Sequence, residues 1–104
     1  MLDCLDDPDT PRVCLMAGTM TPEVLADADL RVYVEQQMSA LEKKMVKRFR
    51  ADKKAGLLPP ALAPEVIVPV VLTYAQGLWR MALVSYDRPR FERQIDAFLT
   101  ALGL

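Results

Sequence analysis

A chain of 104 residues, 52% of them apolar, can build one small hydrophobic core and is too short for two full domains. Its formal net charge of −1 gives the chain as a whole no electrostatic pull on nucleic acid or anionic lipid. It has no histidine, which removes the commonest general base, the Ser-His and Cys-His nucleophile pairs, and His-ligated zinc.

The first elements are acidic and punctuated by proline. Residues 1–30 carry seven acids against a single base, Arg12. Asp6, Asp7 and Asp9 lie close together, but at a loop, where solvated acids are ordinary, so they do not argue for an enzyme. Cys4 and Cys14 cannot make a zinc site by themselves. The N-terminus is acidic and has no apolar signal core, so the expectation is a cytoplasmic protein with two reduced thiols and neither metal nor cofactor. Thr10 and Pro11 then suit the cap and first turn of a short helix over about residues 11–20, with Val13, Met16, Ala17 and Met20 at helical spacing. Thr21-Pro22-Glu23 stops the chain and restarts it.

A long amphipathic helix comes next, over about residues 28–55. Leu30, Val34, Met38, Leu41, Met45 and Phe49 recur at steps of three and four, which places them in one stripe. Acids lead and bases trail: residues 43–54 hold seven bases against Asp52 alone. That block is either a phosphate-binding stripe or the solvated end of a helix whose macrodipole favours cations there, and the second reading is the simpler. Gly56 supplies the left-handed position that ends such a helix.

Pro64 opens the next helix, expected over 64–86 and bent near Pro69, which lacks a backbone donor. Three of its rows are largely apolar: Ile67, Val71, Tyr74 and Leu78; Val68, Leu72, Ala75 and Trp79; Val66, Val70, Thr73 and Gly77. A helix apolar all round must be covered all round, and one short chain has too few helices to do so. A second copy is the simplest cover. The uncharged run Val66–Trp79 is shorter than the ~20 residues that cross a bilayer, so no membrane span is expected. Asp87 then caps a last helix, expected over 87–102, with Phe91, Ile95, Phe98, Leu99 and Leu102 as its stripe.

Four short pieces in this order resemble the C-terminal half of TetR-type transcriptional regulators. They are Pro11-Arg12-Val13-Cys14-Leu15, Gly56-Leu57-Leu58-Pro59, Gln76-Gly77-Leu78-Trp79 and the charged amphipathic stretch Arg90 to Leu102. Val13 departs from the glycine that the family often carries there. The resemblance implies an all-α helical bundle that pairs with its twin through a four-helix bundle of the last two helices. It implies a non-enzymatic effector-binding and dimerisation domain of a repressor, sensing an apolar small molecule. DNA would be read only through a helix-turn-helix domain preceding residue 1, since no segment here replaces one. The ligand residues implied are Met16, Met20, Met38, Met45, Tyr74 and Leu78. Those implied for the dimer interface are Gly77, Trp79, Met81, Phe91, Ile95, Phe98 and Leu99. The residues themselves leave alternatives open. Methionines at helical spacing are often plain core, and Gly77 serves either the close approach of a second backbone or room for Met38 or Met45. A helical interaction module with a filled pocket, binding neither ligand nor DNA, is the competing expectation.

Overall fold

The computed structural model describes residues 6, 7, 9 and 20–104. Among them the chain forms four helices and no strand, so the all-α class holds. They are α1 (Pro22–Leu25), α2 (Ala28–Lys54), α3 (Pro64–Ala82) and α4 (Arg88–Ala101). The short helix expected over 11–20, with Met16 in it, and both cysteines lie outside the described residues.

Side-chain caps and glycines set most of the helix ends. Thr21 Oγ1 accepts from the Val24 amide at 3.3 Å and starts the single turn of α1. Asp27 accepts from the amides of Asp29 and Leu30 at 2.9 and 3.1 Å, which satisfies two orphan donors at the start of α2. That helix runs 27 residues with Asp29 in its first turn and Lys53 and Lys54 in its last, the charge order its dipole favours. At its end Gly56 has φ 77°, the Gly56 amide reaches Lys53 O and the Leu57 amide reaches Asp52 O. This is the Schellman pairing, which consumes carbonyls that the helix itself cannot satisfy. The same pattern closes α4 at Gly103, where the Gly103 and Leu104 amides reach Thr100 O and Leu99 O.

The apolar helix is shorter than its sequence pattern. It stops at Ala82 rather than Tyr86, and Leu83 and Val84 form a turn. The start of α4 is the reason. Asp87 caps that helix from an extended conformation, φ −140° and ψ 113°, with its carboxylate accepting from the Arg90 amide at 3.1 Å. A helix running to Tyr86 would leave no residues to change direction before that cap.

Packing is organised around α3. Its first half contributes Ile67, Val68 and Leu72 to an aliphatic cluster, against which Met45, Val46, Phe49, Leu62, Val71 and Leu102 pack. Its second half contributes Leu78 and Ala82 to a cluster with Phe91, flanked by Tyr74, Trp79, Tyr86 and Ile95. The long stripe of α2 is used unevenly: Val34 is buried, Met38, Met45 and Phe49 are half-buried, and Leu30 and Leu41 stay exposed.

Among the described residues one row of α3 has no cover. Val66, Val70, Thr73, Gly77 and Met81 are all exposed, with Val66 at 66% and Met81 at 62%.

Candidate functional site

Two grooves adjoin along the seam between α2 and α3. The smaller, about 280 Å³, is lined by Met20, Met38 and Leu72 with Glu42, Pro69, Thr73 and Gln76. Helical spacing explains the α3 wall: Pro69, Thr73 and Gln76 are steps of four and three apart and share one side of that helix. Thr73 donates its hydroxyl to Pro69 O at 2.8 Å and so meets its polar need within its own helix. Gln76 does not. Its Oε1 is buried and accepts no hydrogen bond. A buried acceptor left unpaired costs about 1–3 kcal/mol, so this groove combines an apolar wall with one acceptor that a guest donor or water could satisfy.

The larger groove, about 630 Å³, continues from the first, sharing Glu42 and Pro69 with it. Lys43, Lys47, Arg50 and Lys54 line it at steps of four, three and four, one face of the second half of α2. Val46, Ala51 and Pro69 give it an apolar floor. Arg50 pairs with Glu65 at the start of α3. Lys43, Lys47 and Lys54 make no ion pair among the described residues.

The residues expected to hold a ligand divide. Met20 and Met38 line the smaller groove. Met45 packs on the aliphatic cluster, and Leu78, 5% exposed, sits inside the other. Tyr74 is turned to α4, its ring stacked on Phe98 with centroids 3.8 Å apart and planes 6° from parallel. Met16 lies outside the described residues. Sequence reasoning touches Gln76 only as part of a motif. Its signal is nonetheless there: an amide in the middle of an otherwise apolar helix.

The interface residues divide as well. Gly77 and Met81 belong to the bare row of α3. A Cβ built at Gly77 would meet nothing within 4 Å, so the glycine is not making room for Met38 or Met45 of its own chain. Trp79 and Ile95 pack half-buried on the cluster around Phe91, and Phe98 and Leu99 are half-buried. Phe91, at 1% exposure, is taken up by its own chain and has no surface to offer another. Its neighbours explain this: Tyr86 meets it edge-on with centroids 5.0 Å apart.

The acids near the N-terminus are not all simply solvated. Asp6 accepts from the Tyr86 hydroxyl at 2.7 Å and pairs with Arg88. Asp7 accepts from the Asp9 amide at 2.9 Å in a local turn. Among the described residues no helix is long and apolar enough to cross a membrane, and no three His, Cys, Asp or Glu side chains gather as metal ligands would. No family model, curated protein or solved structure matches this chain.

Proposed function

We propose that this chain is a sensor and dimerisation domain of the TetR type, binding an apolar small molecule in the seam of α2 and α3 and pairing with a second copy along α3. One observation carries the reading: α3 borders a methionine-walled groove and, on the face next to it, shows a bare apolar row, with Thr73 at the boundary of the two. The order of the four sequence pieces supports the family. The bare row supports the pairing, since large apolar patches are rare on soluble monomers and a standard interface removes about 800 Å² from each partner. A two-fold axis beside Gly77 would cover the row on both chains at once. The groove supports sensing, because methionines adapt their shape to varied apolar guests. Its partial filling is the observation for a second reading. Leu78 and Met45 serve the chain's own core, as an interaction module without a ligand would have them.

Sedimentation equilibrium and a thermal-shift screen test the two halves of the proposal. The chain should sediment as a dimer at micromolar concentration, and Val70→Glu with Met81→Glu should yield a folded monomer. Aromatic or aliphatic small molecules should raise the melting temperature, by mass action on the native state. A monomeric wild-type chain would overturn the pairing. A dimer without a single stabilising ligand would leave the interaction module as the better reading.

A further inference from the structure

The two grooves share Glu42 and Pro69 and so make one trough, apolar at one end and cationic at the other. From this we infer that the ligand is an anionic amphiphile, with an aliphatic body over Met20, Met38 and Leu72 and its negative head among Lys47, Arg50 and Lys54. The inference rests on the sensor reading above and names the ligand class it leaves open.

The geometry along α2 sets the ligand's length. At 1.5 Å per residue, Lys47 lies roughly 14 Å along the helix from Met38 and Arg50 roughly 18 Å. A medium-length aliphatic chain reaches the nearer of these cations, because the long Lys47 side chain leans back towards the helix N-terminus and shortens the span. The charges set its direction. Glu42 stands where the two grooves meet, so a carboxylate or phosphate gains nothing by stopping there and must pass to the lysines beyond. Of the four cations only Arg50 is matched, by Glu65, and of the unmatched ones Lys47 and Lys54 lie beyond Glu42, where they receive the head. An aliphatic segment then crosses Val46 and Pro69, the apolar floor between. A polyanion fits this surface worse. A nucleic acid or an acidic peptide long enough to use the four cations would lay further charge over Glu42 and the methionines.

Titration calorimetry of the full chain with decanoate, decanol, butyrate, inorganic phosphate and poly-glutamate tests this. Decanoate should bind more tightly than decanol, and butyrate and phosphate should bind at least tenfold more weakly than decanoate. Replacing Lys47 and Lys54 together by Gln should weaken decanoate by about fivefold to tenfold, as the loss of two partly exposed charge pairs implies, and leave decanol unchanged. These lysines lie outside both clusters of buried residues, so the variant should keep the wild-type melting temperature. Equal affinity for decanoate and decanol, insensitive to the lysines, would overturn the anionic head while keeping an apolar sensor. Butyrate, phosphate or poly-glutamate binding as well as decanoate would overturn the amphiphile in favour of a plain anion surface. Binding of none of them, with no stabilising ligand in the thermal screen, would overturn the sensor reading itself.

Discussion

The two ends of α3 are packed by different chemistry. Its first half lies in aliphatic surroundings, Ile67, Val68 and Leu72 against Met45, Val46 and Leu62, with Phe49 the single aromatic neighbour. Its second half lies among rings: Tyr74 stacks on Phe98, Tyr86 meets Phe91 edge-on, and Trp79 closes the side. Ring pairs have preferred geometries and tolerate little displacement. Aliphatic and thioether side chains change rotamer and contact at small cost. The groove opens beside the aliphatic end, where Leu72 is at once core and groove wall. A site that accommodates a guest thus adjoins the half of the core that can adjust, and the half fixed by rings holds α4 in place.

The largest test of this contrast is Phe91→Ala. It should cost about 3–5 kcal/mol of unfolding free energy in urea melts, because a nearly fully buried ring leaves a cavity between rigid neighbours. Leu72→Ala should cost less, about 2–3 kcal/mol, since its site borders open space and can relax. A Leu72 change more damaging than that at Phe91 would reverse the assignment of stiff and adaptable ends.

A smaller effect sharpens it. Asp87→Ala removes the acceptor for the Arg90 amide and should cost about 1 kcal/mol. Backbone hydrogen exchange should rise in the first turn of α4 while α2 stays protected; faster exchange across α2 would mean the two ends are not independent.

The smallest concerns Gly77. With nothing near its Cβ in one chain, Gly77→Ala should stabilise the separated protomer by up to ~1 kcal/mol through helix propensity. If a partner backbone approaches there, the same change raises the dimer dissociation constant several-fold. Unfolding measured at low and high protein concentration reads both effects, and an unchanged dissociation constant would move the two-fold axis away from Gly77.

The helices are legible in the sequence where a local signal marks them. Asp27 and Gly56 frame α2 to within a residue of the pattern, because a cap and a left-handed glycine act on their own few neighbours. The end of α3 is not legible: nothing at Leu83 or Val84 breaks a helix, and the turn exists because Asp87 needs an extended approach. The site is half legible for a related reason. Of the residues that the resemblance implies for a ligand, Met20 and Met38 do line the groove, but Tyr74 and Leu78 share a helix with it and face α4 instead. Periodicity orders residues around one helix; it does not say which neighbour each face meets. The basic block shows the same limit. Its spacing reads as a solvated helix end, and only the packing of α3 beside it turns Lys43, Lys47 and Arg50 into a groove wall.

The contact between Asp6 and the connector before α4 has a bearing on the order of folding. The tyrosine hydrogen bond and the arginine pair join positions 80 and 82 residues apart. Closing a flexible loop of that length costs about 4 kcal/mol of chain entropy by the logarithmic rule. A partly exposed ion pair returns about 1 kcal/mol at most and the tyrosine hydrogen bond about 1 kcal/mol more, so together they do not gather the chain by themselves. It forms only after α2, α3 and α4 have condensed and brought its partners within reach. The contact is therefore a late fastening with no part in the folding nucleus, and its loss should speed local opening at the N-terminus while leaving the rate of collapse unchanged.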